Sequence, residues 1–127
     1  MSEPQKIKRI LMTADPIGGI WSFSLDLAGE LSKHNVDVHL AVMGGPLNAR
    51  QKREAEILPN LRIYESSYKL EWMNEPWQDV DEAGGWLLNL EGEIEPDIIH
   101  LNGYSHASFS FSAPKLIVAH SCVNSGF

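Results

Sequence analysis

Cysteine is nearly absent. Cys122 is the single one in 127 residues, so no disulfide can form within the chain and no cysteine-based zinc site can be built. A reducing, cytoplasmic setting is expected. Long apolar runs are missing too. Nothing approaches the ~18 residues a membrane span needs, and the opening "MSEPQKIKR" lacks the apolar centre of a signal peptide. Basic charge is scarce: 10 lysines and arginines stand against 17 acidic residues, for a formal net charge of −7. That balance argues against non-specific binding to nucleic acid or anionic lipid. The small basic groups at Lys6, Lys8 and Arg9, and at Arg50, Lys52 and Arg53, read as solvated faces. No Gly-x-Gly occurs, which excludes the dinucleotide fingerprint, and no glycine-lysine pair opens a Walker loop. No set of histidines and carboxylates has metal spacing, so neither a metal nor a resident cofactor is expected.

What is present has the composition of a globular domain, with 43% hydrophobic and 21% charged residues. The length suits one domain with a real core. Residues 7–13, "IKRILMT", are short and apolar and read as a strand. From Gly19 to about His34, Ile20, Phe23, Leu27, Ala28 and Leu31 recur at helical spacing. Residues 36–43 read as a second strand, 48–58 as a short polar helix stopped by Pro59, and 61–66 as a third strand. A helix is expected from Pro76 to about Glu93, with a kink or break at Gly84-Gly85 because each glycine weakens a helix by ~1 kcal/mol. Residues 97–101 and 115–120 read as the fourth and fifth strands.

Strands separated by helical segments imply parallel pairing through right-handed crossovers. The expected fold is α/β: a Rossmann-like doubly wound parallel sheet of order 3-2-1-4-5 in three α/β/α layers. Ligands in such sheets bind beyond the carboxyl ends of the strands where the winding reverses. That point lies between strands 1 and 4, at the loops "ADPIGG" and "NGYSH".

Gly18 and Gly19 stand at the start of the first helix. Bare backbone amides there attract anions, and glycine lets a phosphate come close; the alternative is that the pair only shapes a tight turn. Asp15 either binds a hydroxyl of a substrate or shapes that turn. Asn102, Gly103 and Tyr104, with His106, are substrate-binding candidates on the opposite lip. Trp21 is a packing residue or a platform for a sugar ring; Trp72, Trp77 and Trp86 read as packing residues. His100 is expected to pack or bond within the fold, and His39 to lie far from the crevice. Cys122 has no base partner and reads as an idle thiol.

The stretch "KRILMTADPIGGIWSFSLDLAGELSKHNVDVHLAVMG", followed in order by "EPDIIHLNGYSHASF" and "LIVAHSCV", resembles the opening of glycosyltransferase family 4 enzymes, which have the two-Rossmann-domain fold called GT-B. The resemblance runs from about Lys6 to Val123. It implies that Gly18 and Gly19 approach the diphosphate of a nucleotide-sugar donor, and that neighbouring residues shape the pocket of a sugar or lipid acceptor. It also implies that His120, matching a histidine at the end of strand 5 in such enzymes, lies near the reacting groups. A histidine there can take the proton of an attacking hydroxyl, orient the acceptor, or simply bond within the strand end. The departure from the family is large. No two glutamates stand eight apart, and no second Rossmann domain is present. Residues 1–127 therefore read as the incomplete N-terminal, acceptor-side half of a nucleotide-sugar-dependent hexosyltransferase, inactive alone. A missing C-terminal domain is the expected partner. An uncovered flank at strand 5 predicts self-association of the fragment. The alternative is a stand-alone doubly wound module that binds phosphate or a nucleotide.

Overall fold

The computed structural model describes residues 7–68, 73, 75, 77–103, 105–118 and 120. In chain order the elements are β1 (Arg9–Ala14), α1 (Gly19–Ser32), β2 (Asp37–Val42), α2 (Ala49–Glu56), β3 (Leu61–Glu65), α3 (Trp77–Ile94), β4 (Ile98–Leu101) and β5 (Lys115–Ile117). The strands form one sheet in the order β3-β2-β1-β4-β5, and each neighbouring pair is parallel. The expected doubly wound topology is therefore the observed one. Pro76 and Trp72 lie outside the described residues.

Both faces of the sheet are covered, which explains why β1 and β2 are buried at every position after the first rather than at alternate ones. On one face Met12, Ala14, Val38, Leu40 and Val42 meet Trp21 and Ala28 of α1 and Ala55 of α2. On the other, Leu11, Ala41, Ile99 and Leu101 meet Ala83, Leu87, Leu90 and Ile94 of α3. Each fully buried leucine, isoleucine or methionine of this set stabilises the fold by about 1.5–3 kcal/mol.

Polar side chains join the layers. The indole N–H of Trp21 donates to Oε1 of Glu54 at 3.1 Å, tying α1 to α2. Asn48 and Gln51 form a reciprocal capping box at the start of α2. The same Gln51 side chain donates from Nε2 to the carbonyl oxygen of Pro16 at 2.8 Å. The cap of one helix thus holds the loop that leads into another. α1 ends where Asn35 turns left-handed at φ 58°, with the Val36 N–H reaching back to the Leu31 carbonyl at 3.1 Å.

Two expectations need correction. α3 runs unbroken through Gly84 and Gly85. Gly84 is buried, and a Cβ built there would collide with the Phe109 ring, so the glycine admits a neighbour rather than ending a helix. β5 is shorter than expected and stops at Ile117. Its partner β4 ends at Leu101, and the last ladder bond runs from Val118 N–H to the Leu101 carbonyl at 2.8 Å. His120 consequently lies beyond the strand rather than in it. All three β5 residues are exposed, with Leu116 at 47% and Ile117 at 40%, so the sheet keeps an apolar, accessible flank on that side.

A long connection, residues 102–114, leads from β4 to β5 and is stitched along α3. His106 is buried, and its Nε2 donates to the Val80 carbonyl at 2.9 Å. Phe109 lies over Gly84. The carboxylate of buried Glu91 accepts from the Ser112 N–H at 3.0 Å and the Ala113 N–H at 2.7 Å. These contacts set where β5 begins.

Candidate functional site

At the carboxyl ends of β1 and β4 the winding of the sheet reverses, which opens a crevice there. The β1 lip continues as Asp15-Pro16-Ile17-Gly18. Oδ1 of Asp15 accepts the Ile17 N–H at 2.8 Å, which bends the chain into a tight turn. Gly18 then takes φ 80°, a left-handed conformation that a side chain would strain. It is the N-cap of α1, and no side chain caps it. Gly18 and Gly19 are both exposed, and nothing stands within 4 Å of where their Cβ atoms would be. The turn thus presents open backbone and an uncapped helix start to the crevice.

The β4 lip is built around Asn102. Its backbone N–H donates to Oγ1 of Thr13 at 3.0 Å, and its Nδ2 donates to the Thr13 carbonyl at 2.7 Å. Its Oδ1 lies 2.8 Å from Nε2 of His100 and 2.7 Å from Nε2 of His120. Phe23 of α1 stands over both rings, with centroids 6.0 Å from His100 and 4.7 Å from His120, edge-on to the latter. Gly103 follows in the bend and is half-buried.

The electrostatics are those of a partly enclosed pair. Asp15 is buried; loss of water pushes its carboxyl above the ordinary 3.8, offset in part by the Ile17 N–H and the nearby His120. Burial pushes His100 below the usual imidazole range, the bond to Asn102 opposes this, and the neighbouring His120 adds to it. Chemically, the crevice offers amide donors for an anion on one side. On the other it offers a half-buried imidazole, His120, within electrostatic reach of a buried carboxyl.

Of the residues expected in the crevice, the structure gathers Asp15, Gly18, Gly19, Asn102, Gly103 and His120 at the strand ends. Trp21 does not join them: it is 4% exposed and packs in the α1–α2 core. A tryptophan two residues after the turn has rotated about 200° around the helix and faces the sheet. His106 also stays out, enclosed against α3 by Val80 and Phe109. Tyr104 and Cys122 lie outside the described residues. Three participants went unrecognised in the sequence as site residues: Thr13, Phe23 and His100. For His100 a signal existed, since two-residue periodicity puts it on the same sheet face as Ile98, under α1.

A shallow cavity of about 260 Å³ lies elsewhere, between α2 and β3, lined by Leu47, Lys52, Leu61 and Ile63; no crevice residue borders it. Among the described residues, no group of three or more histidines, cysteines and carboxylates could hold a metal ion. No described helix is long and apolar enough to cross a membrane.

No family model matches the chain, and no curated protein matches its sequence. Solved structures share its fold. The C-terminal domain of a hydrogenase from Pyrococcus furiosus superposes with a TM-score of 0.62 at 12% identity, over 93% of this chain and 98% of that domain. Phytolacca americana UGT2, solved with UDP-2-fluoro-glucose and pterostilbene, superposes with a TM-score of 0.63 at 10% identity, over 91% of this chain and 31% of its own. A glycosyltransferase from Rickettsia africae gives 0.60 at 15% identity, over 89% and 30%. The chain thus spans about a third of the glycosyltransferases it resembles. At these identities the likeness is one of fold: a doubly wound α/β domain of the kind found in glycosyltransferases.

Proposed function

We propose that this chain is the acceptor-side domain of a nucleotide-sugar-dependent glycosyltransferase of GT-B type, of the family 4 kind that its sequence motifs resemble. One observation carries the reading. The uncapped, exposed backbone at Gly18 and Gly19 follows the Asp15 turn directly, and Asp15 lies within electrostatic reach of His120. The fold shared with glycosyltransferases, over about a third of their length, supports it.

In this reading the donor's nucleotide is held by a second Rossmann domain, and its diphosphate reaches across to the amides at the start of α1. An acceptor hydroxyl sits by His120, which takes its proton or holds it in line, while Asp15 stabilises the resulting imidazolium. The hydroxyl oxygen bonds to the anomeric carbon as the bond to the diphosphate breaks. The leaving diphosphate carries negative charge into the α1 N-terminus, where the helix dipole favours it.

The test is a titration of the ¹⁵N-labelled chain with inorganic pyrophosphate and with UDP-, GDP- and ADP-sugars. The amides of Gly18 and Gly19 are expected to shift first and most, and Gly18→Val to abolish the response. Shifts confined to the α2–β3 groove, or none with any of these ligands, would overturn the reading.

One observation favours a second reading. The match to the hydrogenase domain covers nearly that whole domain, so the same doubly wound unit also occurs outside glycosyltransferases. Such a module would bind a free nucleotide or phosphate fully, without a second domain. Micromolar affinity for a nucleotide by the chain alone would favour it over the transferase half.

A further inference from the structure

Two imidazoles meet on one atom of Asn102. The Nδ2 of that side chain donates to the Thr13 carbonyl. A carbonyl only accepts, so the amide cannot be turned over: its nitrogen must face Thr13 and its oxygen must face away. On the far side Oδ1 meets Nε2 of His100 and Nε2 of His120. An amide oxygen also only accepts, and its two lone pairs serve two donors. Each Nε2 must therefore carry the hydrogen. A neutral imidazole has one N–H, so the lone pair of each ring is left on Nδ1.

We propose that Asn102 is a positioning residue that fixes the tautomer of His120, holding the proton on Nε2 and presenting Nδ1 to the crevice as its basic atom. The chain of constraint starts in the sheet. β1 and β4 pair in parallel up to Met12 and His100, which brings Thr13 beside Asn102 just past the end of β4, and Thr13 locks that residue from two directions. The amide then braces His120, which lies three residues past the end of β5. His100 shares the acceptor but is 5% exposed, so little of its ring reaches solvent. His120 is the half-buried member of the pair. Phe23, edge-on to it at 4.7 Å, limits rotation of the ring.

What this means for sugar transfer rests on the role given to His120 above. The tautomer itself is read without substrate, in the whole chain labelled with ¹⁵N-histidine, at about pH 8.5, where imidazoles are neutral. Long-range ¹⁵N–¹H spectra separate the two tautomers. The expected result is a single Nε2–H pattern for His120, with a slowly exchanging Nε2–H proton. Asn102→Leu should lose both, leaving the averaged pattern of a free imidazole. An Nδ1–H or averaged pattern in the unmodified chain would overturn the proposal, and so would an Asn102→Leu variant that keeps the pattern. If that variant does not fold, the pattern of the unmodified chain still decides. A chain that shows the tautomer but binds neither pyrophosphate nor sugar nucleotide would sink the transferase reading and leave this one standing.

Discussion

The adjacent glycines in the middle of α3 should respond to alanine in opposite ways. Gly85 has nothing within 4 Å of its missing Cβ. Gly85→Ala therefore removes only the entropic penalty of glycine in a helix and should stabilise the fold by about 0.5–1 kcal/mol. Gly84→Ala brings the same propensity gain but drives a methyl into the Phe109 ring. Forced overpacking costs about 1–3 kcal/mol. Phe109 is only half-buried, so its ring can move outward, but doing so loosens the connection between β4 and β5. The net expectation is a loss of about 0–2 kcal/mol, and a gap of roughly 1–3 kcal/mol between the two variants. Urea denaturation measures both. A double-mutant cycle isolates the cause: with Phe109→Ala in place, Gly84→Ala should become stabilising by about 1 kcal/mol. Equal stability of Gly84→Ala and Gly85→Ala in the otherwise unchanged chain would refute the reasoning, and so would a Gly84→Ala penalty that survives loss of the ring.

Glu91→Ala strips the Ser112 and Ala113 amides of a buried acceptor; a loss of about 2–3 kcal/mol is expected, with faster hydrogen exchange at those two amides. Unchanged exchange there would show that the carboxylate does not anchor the loop. His39 and His100 are both held below the ordinary imidazole value of 6.5, in each case chiefly by burial. The unfolded chain takes up protons that the fold refuses, so their stabilisation is complete above 6.5 and is lost as pH falls from there through the folded values. The urea midpoint should drop between about pH 7.5 and pH 5.5, and a flat profile would contradict the burial of both rings. Asp15 has the opposite sign. Burial raises its carboxyl above 3.8, so the native state holds a proton that the unfolded chain has released, and stability falls as pH rises through that window. Asp15→Asn keeps an acceptor for the Ile17 N–H and should raise the urea midpoint at neutral pH; an unchanged or lower midpoint would count against a buried carboxyl whose burial outweighs its partners.

Most of the fold was legible in the linear sequence because it rests on local signals. Apolar runs bounded by glycine, proline and asparagine marked the strands, three-to-four spacing marked α1, and Pro76 marked the start of α3. The alternation of the two, with right-handed crossovers, left few sheet orders besides the observed one. The glycine turn was equally visible, since a glycine pair between strand and helix signals a conformation that side chains resist, and Gly18 has one. Gly84 and Gly85 misled for the same reason. Local propensity records the penalty of glycine in a helix, but whether a ring fills the space is decided by residue 109, across a loop and a strand.

The crevice was located from the sequence, but its membership was not. Trp21 and His106 are near it along the chain, yet helix rotation turns one into the core and a carbonyl of α3 captures the other. His100 and Thr13 looked like strand residues until the sheet brought Asn102 between them. The chain by itself determined which segments become strands and helices, since that depends on neighbours within a few residues. Only the folded state decided that Thr13, His100 and His120, far apart in the chain, converge on the amide of Asn102, because hydrogen-bond partnership depends on distance in space.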